Sequence, residues 1–109
     1  MIQLPAHAEM NAIREACKVL GTLNLSGYTM YTSCMCCPMC YAASYWARID
    51  KVYFGATCED YIDLFDYVAI YNDLDKPLAE RSLQPEELCR AEAKVVWNEF
   101  RELSDGARY

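Results

Sequence analysis

The sequence predicts an α/β fold in which helices pack against a parallel sheet. Segments whose apolar residues recur at helical spacing alternate with short runs of β-branched and aromatic residues, and Gly or Pro residues separate the two kinds. Strands that alternate with helices in this way are typical of parallel sheets with right-handed crossovers. The chain has 109 residues, of which 54% are apolar, so we expect a single domain over residues 1–109 with one hydrophobic core.

The first predicted helix covers residues 8–20, and Gly21 follows at the position where a helix commonly ends. Its apolar face consists of residues at helical spacing, namely Ile13, Ala16, Cys17 and Leu20. A strand is predicted next over residues 28–32, where aromatic and β-branched residues follow Gly27.

A second helix is predicted over residues 37–47. Pro38 suits the first turn of a helix, because it has no N–H to leave unpaired and its φ angle is already helical. On this helix Cys37 and Cys40 share one face. Residues 51–55 are a short apolar run that ends in Gly55, and they predict a buried strand.

The later elements are predicted from weaker signals. Residues 68–71 form another short apolar run and predict a strand, with a short helix over residues 59–65 before it. Residues 72–83 form a polar connection that contains Pro77. A final helix is predicted to begin at Pro85, where proline and two acidic residues occupy a first turn. Its apolar face would consist of Leu88, Val95, Val96, Trp97, Phe100 and Leu103.

Composition limits the classes of function. Ten basic residues against sixteen acidic ones give a net charge of −6 and no basic run, so nucleic acid is not the expected partner. No apolar stretch approaches the roughly 18 residues of a membrane span, and residues 1–5 lack the features of a secretory signal. We therefore expect a cytoplasmic protein with reduced thiols. Four of the seven cysteines fall within residues 34–40, where metal binding explains the crowding better than disulfides.

Two short motifs predict a metal site. His7-Ala8-Glu9 and Cys37-Pro38-Met39-Cys40 each lie at the start of a predicted helix. One His and two Cys side chains would supply three positions of a tetrahedral Zn²⁺ site and leave the fourth for water, as in catalytic zinc sites. Zinc lowers the pKa of such a water towards about 7. Glu9, a carboxylate beside His7, is suited to move protons between that water and a leaving amine.

These motifs carry a family resemblance. Residues 7–55, especially HAEMNAIREACKVLG, YTSCMCCPMC and YWARIDKVYFG, resemble the cytidine-deaminase-like superfamily, and most closely its bacterial guanine deaminase or nucleoside deaminase branch. The resemblance implies a three-layer α/β/α sandwich and a homodimer. It also implies Zn²⁺ held by His7, Cys37 and Cys40, and hydrolytic deamination of a small purine base or nucleoside, with guanine favoured. Glu9 would be catalytic, and Ala8, Trp46 and Asp66 would contact the substrate.

The chain departs from the family pattern in three places. Relatives carry a first helix and an antiparallel pair of strands before the His-x-Glu motif, so we expect a truncated sandwich that lacks its first helix and first two strands. This would leave an edge of the strand at residues 28–32 unpaired. Relatives commonly read Cys-Glu-Pro-Cys where this chain has Cys34-Met35-Cys36-Cys37, and Phe-Asp-Asp where it has Phe65-Asp66-Tyr67. By resemblance, Tyr67 therefore replaces an acid near the substrate.

Alternatives to a catalytic site follow from the same residues. If Cys36 or Cys34 took the fourth metal position, the zinc would be structural and the chain a zinc-stabilised, non-catalytic module. Trp46 and its neighbour Tyr45 could border a base-binding pocket, but aromatic residues on a helix more often belong to a core or an interface. Cys17, Cys58 and Cys89 are expected to be buried as small apolar residues.

Overall fold

A computed structural model describes residues 7–103 and 105–106. The chain divides between Asp75 and Lys76 into two compact units. The prediction of one domain over residues 1–109 therefore stays a prediction, and each unit is described by itself.

The first unit contains every predicted element around the cysteine loop. Its elements are α1 (Ala8–Leu20), β1 (Thr29–Cys34), α2 (Pro38–Trp46), β2 (Lys51–Ala56), a 3₁₀ turn (Cys58–Asp60) and α3 (Tyr67–Leu74). The first two helices confirm the predictions for residues 8–20 and 37–47. Helix α1 ends at Gly21, whose φ of 65° is the left-handed conformation that glycine adopts without strain. Helix α2 begins at Pro38.

Strands β1 and β2 form a parallel pair, with Thr29 opposite Lys51 and Cys34 opposite Ala56. The prediction of a parallel pair is confirmed, although both strands run further than expected. The backbones approach closely at Gly55, where a Cβ atom would lie 2.8 Å from the Ser33 carbonyl oxygen. Among the described residues no third strand joins the sheet, so both of its outer edges lack a strand partner.

The sheet exposes aromatic side chains on one face. Tyr31 of β1 and Tyr53 of β2 stack with ring centroids 5.4 Å apart, and their exposed fractions are 79% and 52%. Met30, the neighbour of Tyr31, points to the other face and is buried. This alternation is the period of two that a strand imposes.

Two predictions between residues 59 and 71 are wrong. The predicted helix over residues 59–65 is only the 3₁₀ turn, which Thr57 and Asp60 close through a reciprocal capping box before the chain enters further turns. The predicted strand over residues 68–71 lies inside helix α3, because the Asp66 side chain caps that helix by accepting a hydrogen bond of 3.0 Å from the Ala69 N–H. An apolar run of four residues does not by itself distinguish a buried strand from a helix.

The core of the first unit lies beneath the cysteine loop. Its buried members are Ile13, Leu25, Met30, Cys36, Cys37, Cys40 and Ala47. Helix α2 packs against both α1 and α3. Three of the seven core residues are thiols of one short loop and helix start, so packing of the core also fixes the position of these cysteines.

The second unit contains a 3₁₀ turn (Leu78–Glu80) and helix α4 (Arg90–Glu102). The predicted helix start at Pro85 is wrong, because α4 begins only after Cys89, which adopts a left-handed φ of 54°. Leu88 therefore precedes the helix. Trp97 and Phe100 contact each other edge to face at 6.1 Å. None of the helices that the structure describes is both long enough and apolar enough to span a membrane.

Candidate metal centre

Two helix starts supply the candidate ligands. His7 directly precedes α1 in an extended conformation. Cys37 directly precedes α2, also extended, and its thiol accepts a hydrogen bond of 3.5 Å from the Cys40 N–H. Pro38 occupies the first helical position, where its missing N–H leaves no donor unpaired. The partial positive charge of each helix start thus lies near the thiols, where it favours negative charge.

The structure brings the three predicted ligands together. His7 Nδ1 lies 3.3 Å from Cys37 Sγ and 3.4 Å from Cys40 Sγ, although His7 is 30 and 33 residues away along the chain. All three ligand atoms lie within 4.8 Å of one another. A tetrahedral zinc ion bound by one nitrogen and two sulfurs requires N–S separations of about 3.5 Å. His7, Cys37 and Cys40 therefore fit Zn²⁺.

The electrostatics of the centre favour a cation. Cys37 is 5% exposed and Cys40 is fully buried. Burial, followed by the hydrogen bond and charge of Cys37, raises the pKa of the Cys40 thiol far above its usual range. A thiolate in such a place needs a positive charge beside it, and a divalent ion supplies that charge while the thiol loses its proton.

Glu9 lies at the edge of this group of ligands. It is half-buried in the first turn of α1, and its charge adds to burial and to Cys37 in raising the pKa of the Cys40 thiol. Its charge also acts on Cys36. The Glu9 carboxylate thus lies within electrostatic reach of the Cys36 and Cys40 thiols but is not one of the three candidate ligands.

The other thiols of the loop lie outside the ligand group. Cys36 is buried, and burial, the Glu9 carboxylate and the thiols of Cys37 and Cys34 raise its pKa to about 11. Cys34 lies nearer to Tyr61, since burial and then Cys34 raise the pKa of the Tyr61 hydroxyl. Within the part of the chain that the structure describes, the group that could hold a metal contains His7, Cys37 and Cys40 and neither of these two cysteines.

Two tyrosines hold the loop that leads to Cys37, and sequence reasoning did not identify them. The Tyr71 hydroxyl donates a hydrogen bond of 2.7 Å to the Cys36 carbonyl, and the Tyr61 hydroxyl donates one of 3.2 Å to the Met35 carbonyl. Burial, with the nearby Cys37 and Cys36, raises the pKa of Tyr71 to about 12, so it keeps its proton and remains a donor at neutral pH. The sequence signal was weak, because residues 68–71 also suited a strand.

The residues that the resemblance implies for substrate contact have different surroundings. Ala8 is exposed beside His7. Trp46 is 65% exposed at the last position of α2, a helix of nine residues and therefore about 13 Å long, with Cys37 at its other end. Asp66 is exposed and caps α3. Substrate contact by these residues stays a prediction.

The cap gives Asp66 a role in stability that can be separated from substrate contact. Asp66→Ala removes the acceptor of the Ala69 N–H and should lower the free energy of unfolding by about 1 kcal/mol, whereas Asp66→Asn keeps the cap and should change it little. Urea unfolding followed by circular dichroism measures both variants. The control is Asp63→Ala, at an exposed acid in the turn before α3, and it should leave the stability unchanged. Equal stability of Asp66→Ala and the unchanged protein would contradict the cap.

A cavity of about 450 Å³ lies beside the loop of residues 35–37, between α2, β2 and α3. Its wall includes Cys36 and Tyr71, together with Tyr41 and Tyr45 of α2 and Phe54 of β2. Neither the three candidate ligands nor Glu9 line it. The cavity and the metal centre therefore both adjoin the loop before α2, but the candidate ligands do not line the cavity.

Known proteins match both the sequence and the fold. Residues 3–56 match the model of the cytidine and deoxycytidylate deaminase zinc-binding region. Guanine deaminase of Bacillus subtilis is 49% identical over 79 residues, which are 72% of this chain and 51% of that protein. A tRNA-specific adenosine deaminase of the same organism is 55% identical over 51 residues, which are 47% of this chain and 32% of that protein. The chain thus spans about half the length or less of these relatives.

A solved structure of guanine deaminase from Bacillus subtilis superposes with a TM-score of 0.88 and 39% sequence identity, over 97% of this chain and 68% of that chain. This match confirms the predicted α/β deaminase fold. The matched zinc-binding region contains the His-x-Glu and Cys-x-x-Cys motifs, and the structure brings their His and Cys side chains together. The chain belongs to the zinc-binding cytidine and deoxycytidylate deaminase family.

Proposed function

We propose that this chain is a zinc-dependent hydrolytic deaminase of a purine base or nucleoside, with guanine as the favoured substrate. The observation that carries the proposal is the convergence of His7, Cys37 and Cys40, with the Glu9 carboxylate close enough to act on the Cys40 thiol. Three protein ligands are the number that catalytic zinc sites use, and they would leave one position for a reactant.

Each residue of the site has a separate role in the proposed reaction. When bound, Zn²⁺ supplies an activated water nucleophile near neutral pH. His7, Cys37 and Cys40 hold the ion. Glu9 accepts a proton from the attacking water, delivers one to the ring nitrogen and then protonates the departing ammonia, so that water and the amine-bearing base become the oxo base and ammonia.

The preference for a small purine rests on two observations. A guanine deaminase is among the relatives, at 49% identity over 72% of this chain. The chain also carries a net charge of −6, which opposes binding to a polyanion.

A second candidate is deamination of adenosine in tRNA. It is favoured by the 55% identity to a tRNA-specific adenosine deaminase over 51 residues around the metal motifs. Those motifs serve the chemistry common to both classes, so the identity there does not select between the substrates. The third candidate, a zinc-stabilised module without activity, shares the metal ligands but requires no role for Glu9.

An ammonia-release assay separates these candidates. Zinc-loaded protein is incubated with guanine, guanosine, adenosine, cytidine and tRNA, and ammonia is measured enzymatically. We expect turnover of guanine. Turnover of tRNA alone would favour the second candidate, and no turnover at full zinc occupancy would favour the module.

We also propose that the protein forms a homodimer. Both outer edges of the β1–β2 pair lack a strand partner among the described residues, and Tyr31 and Tyr53 form an exposed aromatic pair on one face. Exposed strand edges and apolar patches favour association. Sedimentation velocity should give about twice the chain mass of 12.5 kDa. A single species with the mass of one chain would contradict the proposal.

A further inference from the structure

The loop that leads into helix α2 is held at two successive residues by atoms from later parts of the chain. The Met35 N–H donates a hydrogen bond of 2.8 Å to the Ala56 carbonyl at the end of β2. The Met35 carbonyl accepts one of 3.2 Å from the Tyr61 hydroxyl, and the Cys36 carbonyl accepts one of 2.7 Å from the Tyr71 hydroxyl. The backbone of this loop is therefore fixed from β2, from the turn after β2 and from helix α3.

The hydrogen bond from Tyr71 acts on the peptide group next to a candidate ligand. The Cys36 carbonyl belongs to the peptide bond that joins Cys36 to Cys37. A peptide group is planar, so a hydrogen bond that fixes its oxygen also fixes the plane that contains the nitrogen and Cα of Cys37. The direction of the Cys37 side chain depends on this plane. The Tyr71 hydroxyl thus restrains Cys37 Sγ, which lies 3.3 Å from His7 Nδ1.

Both ends of this hydrogen bond are themselves held in place. Tyr71 is half-buried within α3, and that helix is capped by Asp66 and packs against α2. Cys36 is only 3% exposed and belongs to the core of the first unit. Loss of the hydroxyl would remove the donor of a carbonyl in a buried residue, and an acceptor left unpaired in such a place destabilises the arrangement around it.

We propose that Tyr71, assisted by Tyr61, is a positioning residue of the metal centre, whose hydroxyl holds the peptide between Cys36 and Cys37 so that Cys37 Sγ is in place before the ion binds. The inference rests on the metal site of the proposed function and does not depend on which base is deaminated. Groups that orient a metal ligand from outside the coordination sphere commonly contribute about 10- to 100-fold to metal affinity. The effect should therefore appear in metal binding itself.

The first test measures zinc affinity and not turnover. Tyr71→Phe removes only the hydroxyl and should raise the Kd of Zn²⁺ by roughly tenfold, in competition with a chromophoric chelator. Tyr61→Phe should raise it less, by about threefold, because its hydrogen bond is longer and lies one peptide further from Cys37. Tyr41→Phe is the matched control, since it removes a hydroxyl from the wall of the cavity that Tyr71 also lines and leaves both loop hydrogen bonds in place. It should leave the Kd unchanged.

Cobalt distinguishes positioning from general support of the fold. In protein loaded with Co²⁺, the absorption by charge transfer from thiolate to metal reports how Cys37 and Cys40 are arranged around the ion. Tyr71→Phe should weaken and shift this absorption, and Tyr41→Phe should not. A lower stability of metal-free Tyr71→Phe, with an unchanged Kd of Zn²⁺ and an unchanged Co²⁺ spectrum, would show that Tyr71 only supports the fold and would overturn the inference.

The rate of zinc release provides a second measurement if metal-free Tyr71→Phe does not fold. The variant is then purified with zinc bound, and transfer of the ion to an excess of chelator is followed over time. Release should be roughly tenfold faster than from the unchanged protein. Equal rates of release would overturn the inference.

The outcomes separate this inference from the proposed function. Ammonia release that requires Glu9, with a zinc affinity indifferent to Tyr71, would leave the deaminase activity standing and overturn the positioning role. Zinc affinity that depends on Tyr71, in a protein that releases no ammonia at full zinc occupancy, would support the positioning role and contradict the deaminase activity. A chain that binds no zinc would contradict both.

Discussion

Glu9→Gln should lower kcat for deamination by about 10²- to 10⁴-fold while the protein keeps one zinc ion per chain. The substitution preserves the size of the side chain and removes its ability to carry a proton. Glu9 acts electrostatically on the Cys40 thiol, but the metal-binding group does not include it. The loss should therefore appear in the chemical step and not in metal retention. Stopped ammonia assays together with zinc analysis by mass spectrometry measure both quantities.

The matched control for this prediction is Glu15→Gln. Glu15 lies on the same helix, is exposed and carries the same charge, so its substitution tests whether loss of one negative charge from α1 is sufficient. We expect full activity from this control. If Glu9→Gln retained activity near that of the unchanged protein, Glu9 would not be the proton carrier.

Removal of a ligand should have the second large effect. Cys37→Ala leaves His7 Nδ1 and Cys40 Sγ, which lie 3.4 Å apart, without their third partner. Zinc content should fall from about one ion per chain to near zero after dialysis. A ligand present at 1,000 times its Kd contributes about 4 kcal/mol to stability. Its loss should therefore lower Tm by roughly 15–30 °C in a chain of this size.

The control for metal loss has to be a buried thiol outside the ligand group. Cys58 is 5% exposed and is not among the candidate ligands, so Cys58→Ala imposes a similar loss of packing without removing a metal contact. Calorimetry with and without a chelator completes the design. The chelator should lower Tm in the unchanged protein and in Cys58→Ala, but not in Cys37→Ala. An equal chelator effect in all three would show that Cys37 is not a ligand.

The parts of the fold that sequence reasoning predicted correctly are those with strong local signals. Helix α1 has apolar residues at helical spacing and ends at Gly21, and helix α2 begins with Pro38. The predicted start of α4 is wrong although Pro85 suits the first turn of a helix, because the chain enters the helix only after Cys89. Local propensity is a weak guide where the surrounding structure decides the boundary.

The candidate site likewise contains residues that the sequence predicted and residues that it did not. His7, Cys37 and Cys40 were predictable, because metal binding restricts the residue type and the spacing of the two cysteines. The tyrosines that hold the loop were not, because Tyr61 reaches Met35 across 26 residues and Tyr71 reaches Cys36 across 35. A neutral hydrogen bond to a carbonyl places little restriction on sequence, so contacts of this kind become visible only in the folded chain.

The separation of His7 from the cysteines has a consequence for how the centre assembles. Joining His7 to Cys37 closes a ring of chain that contains all of α1 and β1, across 30 residues. Such closure costs conformational entropy that grows with the logarithm of the ring length. Cys37 and Cys40 are only three residues apart on one turn of chain, so they come together early. We therefore expect the arrival of α1 beside α2 to be the later event, and the rate of native centre formation to follow the closure of this ring.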